Sequence, residues 1–227
     1  MNALSRRAVL LLLGLVAGTI VSAEVLFTRL LSVSTWYGLA FVVLSLAMLG
    51  LASGSLDAAK AQREGAPLAP WIAQRLLAMC AGLVLATVVL CAVPVSFAPN
   101  LTAFGGLVLV VVVVALPLVA GSAVVARLMA EGAVPLARLY AVDLTAAALG
   151  ALSPLVLLGP LSGPGALLVL AAAMGGASAW AADAGPARGL ARAVTGLCLG
   201  LLLVTQATPR AGLFVRYPKG QLRPDDE

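Results

Sequence analysis

Seven apolar segments, separated by short polar or turn-forming stretches, dominate the pattern of hydrophobic and polar positions along the chain. Each segment is close to the roughly 20 residues that a helix needs to span a bilayer. The pattern therefore predicts an all-α fold, a polytopic transmembrane helix bundle over residues 1–208, with a polar tail over 209–227. The predicted helices span about 8–31, 36–56, 71–93, 101–127, 135–158, 166–182 and 190–205.

The first segment also has features of a secretory signal sequence. Arg6 and Arg7 precede the apolar run, and the small residues around Ala23 have the form of a cleavage site. Hydrophobic sequence resumes directly after Glu24, however, and the run is long for a signal peptide. We therefore interpret 8–31 as an uncleaved first helix.

The composition agrees with an integral membrane protein. The chain is 62% hydrophobic and 10% charged, and its mean hydropathy of +1.10 is too high for a soluble domain. The net charge of +5 does not indicate nucleic-acid binding, because there is no basic stripe with interleaved aromatic residues. The chain contains no histidine, so the commonest general base and the usual zinc ligand are missing. We predict no metal and no cofactor.

The basic residues are distributed unevenly between the predicted connections. The segments 94–100 and 159–165 contain none, whereas nine of the fourteen Lys and Arg residues fall on the other side of the bundle. Cytoplasmic loops of membrane proteins are enriched in Lys and Arg, so this side is predicted to be cytoplasmic, in a bacterial inner membrane. Seven crossings from a cytoplasmic N-terminus place the tail in the periplasm. The nine residues are Arg6, Arg7, Lys60, Arg63, Arg75, Arg127, Arg138, Arg188 and Arg192.

Two carboxylates lie at predicted membrane depth, Glu24 in the first helix and Asp143 in the fifth. A charged side chain there costs at least a few kcal/mol, so such residues often mark a function. We predict that both face the bundle interior and line a shared polar region, at depths that differ by more than about 10 Å. Tyr140 is the best local partner for Asp143, and Thr28 for Glu24, because residues three or four apart share a helix face. The alternative is that the two carboxyl groups only join helices by hydrogen bonds.

Four further residues are predicted at the membrane boundaries. Arg29 is five residues from Glu24, so the two form a poor pair, and Arg29 can extend to the outer interface. Arg138 is predicted at the inner interface. Trp36 and Tyr37 begin the second segment, where aromatic rings favour the interface. The candidate intramembrane polar site is therefore Glu24, Arg29, Tyr140 and Asp143.

No enzyme active site is visible in this chain. The glycine-rich sequence at 159–165 lacks a preceding strand, and its prolines remove backbone donors that would hold a phosphate. Small residues recur at spacings of four, as in Gly50 and Gly54 or Ala146 and Gly150. Such pairs let helix backbones approach closely in lipid, which favours a compact bundle.

Several segments together resemble a known family. AEVLFTRLLS (23–32), WYGLAFVVLSLAMLGLASGSL (36–56), ARLYAVDLTAAALGAL (137–152) and GPGALLVLAAA (163–173) resemble the membrane half of bacterial spermidine synthase-like membrane proteins. In that family a helical membrane domain precedes a soluble, Rossmann-type aminopropyltransferase-like domain. The family motifs fall on Glu24, Arg29, Arg138, Tyr140 and Asp143.

The resemblance ends with the tail. FVRYPKGQLRPDDE is similar to the lead-in to the soluble domain, but the glycine-rich motif for S-adenosylmethionine-type ligands is absent. The resemblance implies a fragment, or one part of a split protein, that is itself non-catalytic.

Three functions are compatible with these observations. The first is a membrane module that anchors or serves a spermidine synthase-like partner domain. The second is a half-transporter for a small cation or polyamine, and the third is a scaffold subunit of a membrane complex. The predicted partners are the lipid bilayer and such a domain or subunit, with no nucleic acid.

Overall fold

The computed structural model describes residues 4–34, 38–93, 101–182 and 185–207, and this part of the chain forms seven α-helices. Each helix is long and apolar enough to cross a membrane. The predicted all-α fold of a multi-pass membrane protein is therefore confirmed for these residues. The helices are α1 (Arg6–Ser34), α2 (Gly38–Arg63), α3 (Leu68–Ala92), α4 (Leu101–Ala130), α5 (Leu136–Leu157), α6 (Gly163–Ala181) and α7 (Pro186–Ala207).

Helix α2 extends beyond its predicted end at 56 and reaches Arg63. The residues after 56 are polar, but they are mostly good helix formers, so polarity alone did not mark the end of the helix. The Nζ atom of Lys60 lies 3.9 Å from Oε1 of Glu64, which is one helical turn further along the chain. The chain turns only at Gly65, whose φ of +68° lies in the left-handed region that glycine tolerates best.

Helices α3 and α6 begin earlier than predicted, because prolines assigned to loops are part of their first turns. Pro67 precedes α3, and Pro70 lies in its first turn, where a missing N–H is not needed. In α6, Ser162 is the N-cap, and its Oγ accepts a hydrogen bond from the Gly165 N–H at 3.2 Å. The GPLSGPG sequence is thus a turn followed by a capped helix start.

Helix α1 contacts four others, α2, α4, α5 and α6. Helix α3 packs between α4 and α6, whereas α2 packs mainly on α4 and α7 mainly on α6. Ser178 near the end of α6 bonds to Ala73 near the start of α3, and Gly163 at the start of α6 meets Leu30 near the end of α1, so α6 runs opposite to both. Glycine contacts show that α5 runs parallel to α1. Helices α1, α3, α5 and α7 therefore begin at one end of the bundle. We call it the basic end, since Arg6, Lys60, Arg127, Arg138 and Arg188 lie there.

The contact between α1 and α5 depends on small residues. Gly14 faces Val142 and Ala146, and one turn further on the backbone of Gly18 touches Gly150 so closely that a Cβ on Gly150 would overlap it. The two helices are consequently parallel and in register over several turns. This register sets the relative heights of Glu24 on α1 and Asp143 on α5.

The contact between α2 and α4 confirms the predicted role of Gly50 and Gly54. A Cβ on Gly54 would lie 2.6 Å from the amide nitrogen of Ala123, and one on Gly50 would lie 3.1 Å from the backbone of Leu118. The distance at Gly54 is too short for any side chain, and the one at Gly50 would require a small shift of α4. Glycine at these positions therefore allows α2 to lie directly on the backbone of α4.

A buried contact between two thiols joins α7 to α3. The Sγ atoms of Cys80 on α3 and Cys198 on α7 are 3.7 Å apart. Gly175 of α6 leaves the space for them, because a Cβ there would meet Thr195 and Cys80. The two cysteines are 118 residues apart in the chain, and no sequence pattern marks this contact between distant segments.

Candidate functional site

A groove of about 240 Å³ lies between α1, α2, α4 and α5, and both intramembrane carboxylates line it. We call it the carboxylate groove. Helix α1 contributes Ala17, Ile20, Val21 and Glu24. Their spacing of three and four residues places them on one face of the helix. Helix α5 contributes Asp143 and Ala147. Apart from the two carboxylates, Ser122 on α4 is the polar side chain among the described lining residues.

The two carboxylates lie near opposite ends of the groove. Val142, next to Asp143, packs against Gly14, so Asp143 is at about the height of Gly14 on α1. Glu24 lies ten residues further along α1, which corresponds to a height difference of about 15 Å. The side chains between them are mostly aliphatic. The groove thus combines two separated carboxyl groups with an apolar wall.

Glu24 is half-buried, and its environment differs from the sequence prediction in one respect. The Thr28 hydroxyl donates to the backbone carbonyl of Glu24 at 2.7 Å, and not to the carboxylate. Arg29 is exposed on another face of α1, as its spacing from Glu24 indicated. Within the described part of the chain, neither a hydrogen bond nor an ion pair engages the Glu24 carboxylate.

Asp143 is also half-buried, and its predicted partner lies elsewhere. The Tyr140 side chain is 51% exposed on α5, and no hydrogen bond joins it to Asp143 in the described residues. Arg138, one turn nearer the basic end, is exposed as well. Asp143 therefore enters the groove without a cationic or hydroxyl partner from α5.

The two carboxyl groups of the groove need a compensating partner. Two acidic groups in a mostly apolar cleft are costly unless a positive group, a proton or water accompanies them. Among the described residues, no three His, Cys, Asp or Glu side chains come together as metal ligands would. The lining therefore offers two separated carboxyl groups with an aliphatic wall between them.

A second groove, which the sequence analysis missed, lies between α2, α3 and α4. We call it the ion-pair groove, because Arg75 Nη2 donates to Asp57 Oδ1 at 2.8 Å at one end of it. Asp57 lies just after the predicted helix 36–56, and Arg75 is one of the nine basic residues predicted on the cytoplasmic side. In the sequence, the two opposite charges are 18 residues apart on either side of a turn. This arrangement allows an ion pair but does not specify one.

Two of the predicted interface residues, Trp36 and Tyr37, lie outside the described residues, as does the tail over 209–227. Comparisons of the chain with models of protein families, with curated proteins and with solved structures find no match. The carboxylate groove and the sequence are therefore the indications of function that this chain offers.

Proposed function

We propose that the carboxylate groove binds a small organic amine, and that this chain is the membrane module of a spermidine synthase-like protein. In this proposal the module is non-catalytic and anchors or serves a soluble aminopropyltransferase-like domain. The observation that carries the proposal is the placement of Glu24 and Asp143 on one groove, with no cationic partner among the described residues. The resemblance of segments 23–32 and 137–152 to that family supports the choice of an amine.

The preferred ligand is a linear polyamine. The two carboxylates differ in height by about 15 Å, so one short monoamine would leave one of them unpaired. A polyamine chain with an ammonium group at each end would meet both carboxylates, and its methylene groups would lie along the aliphatic wall. Ser122 is the polar side chain available to its internal ammonium group. We place the module in a bacterial inner membrane, with the N-terminus in the cytoplasm and the tail in the periplasm, because of the distribution of basic residues.

A half-transporter for the same kind of cation is the second candidate. The carboxylate groove extends along the membrane normal for about half of the roughly 30 Å hydrocarbon thickness, which suits a step in a translocation path. Uptake of labelled spermidine into vesicles containing the purified chain separates the candidates. Uptake above empty vesicles favours the transporter, and binding without uptake favours the module.

Calorimetry with the full chain in lipid nanodiscs tests the amine site. Glu24→Gln and Asp143→Asn each keep the side-chain shape but remove one charge. The loss of one charge-assisted hydrogen bond, about 1.5–3 kcal/mol, should weaken spermidine binding roughly ten- to hundredfold. Glu64→Gln is the matched control, since Glu64 is exposed near the basic end and lines neither groove.

The outcomes are distinct. Equal affinity in the wild type and both groove variants, or no binding at millimolar spermidine, would overturn the amine site. The coding DNA beyond Glu227 tests the partner domain separately. A continued frame with a strand, a glycine loop and a helix supports the module, whereas a second set of apolar helices supports the transporter.

A further inference from the structure

The ion-pair groove has the size and lining of a ligand site that the amine proposal does not use. Its volume is about 590 Å³, within the roughly 300–1,000 Å³ of small-molecule pockets. Helices α2 and α3 both pack on α4 but make little contact with each other, and the groove is the gap between them. Small residues form much of its floor, among them Ala78, Ala81, Gly82 and Ala115.

The polar groups of this groove are confined to one end. Asp57 and Arg75 form their ion pair there, with about a third of each side chain exposed. The Arg75 guanidinium also lies over the Trp71 ring, 5.3 Å from its centroid. Arg75 Nε is buried and has no hydrogen-bond partner in the structure, which is an unfavourable state for a guanidinium donor. The donors and acceptors that this end offers to a ligand are the partly exposed outer amino groups of Arg75 and the second carboxylate oxygen of Asp57.

The Asp57–Arg75 ion pair lies at about the depth at which the hydrocarbon core of the bilayer ends. Helix α2 has 26 residues and is about 39 Å long, longer than the roughly 30 Å hydrocarbon core. The excess corresponds to about its last six residues, which begin after Asp57. From Arg75 to Leu85, the groove runs about 15 Å along α3, which is the depth of one leaflet.

We propose that the ion-pair groove binds one phospholipid with a zwitterionic headgroup that carries a primary ammonium, with an acyl chain in the apolar part. The outer amino groups of Arg75, whose side chain is about a third exposed, donate to the phosphate, and the Asp57 oxygen that Arg75 does not use accepts from the ammonium. The pair offers both signs of charge, so it matches a zwitterion. A headgroup that is only anionic would meet Asp57 unfavourably, and a quaternary ammonium has no N–H to donate.

Quenching of tryptophan fluorescence by lipids with brominated chains measures this preference. The chain has three tryptophans, so Trp36→Phe with Trp180→Phe leaves Trp71 at the site. Trp36→Phe with Trp71→Phe leaves Trp180, which is 55% exposed near the same end of the bundle and reports on bulk lipid. Each full-length variant is reconstituted in vesicles of phosphatidylcholine that contain brominated phosphatidylethanolamine, phosphatidylglycerol or phosphatidylcholine.

We expect Trp71 to be quenched most strongly by brominated phosphatidylethanolamine, with a relative binding constant roughly tenfold above the other two lipids. Trp180 should respond equally to all three. Asp57→Asn should remove the preference for phosphatidylethanolamine over phosphatidylcholine. Ala115→Leu fills the groove with an apolar side chain and should lower Trp71 quenching by every lipid.

Equal quenching of Trp71 by the three lipids would overturn the proposal, and so would stronger quenching by phosphatidylglycerol. A preference that persists in Asp57→Asn would contradict the role of the carboxylate. The comparison of headgroups in the wild-type groove needs no charge variant, so it remains decisive if Asp57→Asn does not fold.

Discussion

A hydroxyl pair connects α1 to α5 inside the apolar bundle. The Oγ atoms of Ser22 and Ser153 are 2.6 Å apart, and Ser153 also donates to the Gly150 carbonyl at 2.8 Å. A hydroxyl has one proton, so Ser22 is the donor in the bond between the helices. This bond helps to hold the register that separates Glu24 from Asp143.

A double-mutant cycle measures the contribution of this bond to stability. Ser22→Ala, Ser153→Ala and the double variant should give a coupling free energy of about 0.6 kcal/mol, the average for hydrogen bonds between membrane helices. The readout is the free energy of unfolding in mixed detergent micelles. Ser55→Ala is the control, because the Ser55 hydroxyl bonds to Leu51 within α2 and should show no coupling to Ser153. A coupling of zero between Ser22 and Ser153 would show that the contact does not stabilise the bundle.

The sequence was sufficient to identify the two intramembrane carboxylates but not the side chains that they contact. Glu24 and Asp143 stand out in the sequence because each is a carboxylate in an apolar segment. Their predicted partners were wrong for physical reasons. A Thr hydroxyl in a helix readily bonds to the carbonyl four residues earlier, as Thr28 does, and so it does not reach the carboxylate. Tyr140 lies at the outer surface of α5, because α5 contacts the bundle mainly through α1.

At the scale of the helices, apolar length was sufficient to predict all seven elements, but not which helices touch. Spacings of four between small residues predicted close contacts, as at Gly54 and Gly150, without naming the partner helix. The partners of both residues come from helices that are not consecutive in the chain. Contacts of this kind depend on the shapes of both surfaces, and one sequence contains no direct signal for the pairing.

Gly150 provides a test of how the α1–α5 contact shapes the carboxylate groove. Gly150→Leu places a side chain where the Gly18 backbone lies, so α5 must move away. Overpacking of this kind costs about 1–3 kcal/mol, and the free energy of unfolding should fall by that amount. Disulfide cross-linking between Ser22→Cys and Ser153→Cys should also decrease.

Gly176→Leu is the matched control for this substitution. Gly176 is also within a helix, but a Cβ there has no heavy atom within 4 Å. We expect its cross-linking yield and its stability to stay near the values of the parent protein. If Gly150→Leu cross-links as efficiently as Gly176→Leu, the close α1–α5 contact is wrong.

At the scale of the whole molecule, α1 connects the two sides of the bundle. It packs on α5 and α2 around the carboxylate groove, and it also contacts α4 and α6. The ion-pair groove lies on the other side of α2, and α4 forms a wall of both grooves. The two grooves share no lining residue, so the two proposed ligands would occupy separate spaces.

Reporter fusions test the orientation of the molecule, which we predict from its basic residues. The turns at Gly65 and Gly132 lie at the basic end, whereas Gly159 lies at the opposite end. Because Lys and Arg are retained in the cytoplasm, reporters after Gly65 and Gly132 should be cytoplasmic, and one after Gly159 periplasmic. A reporter after Gln221 should also be periplasmic, since α7 adds a seventh crossing. A periplasmic signal at Gly65 would invert the topology, and a cytoplasmic signal at Gln221 would mean that one of the seven helices does not cross the membrane.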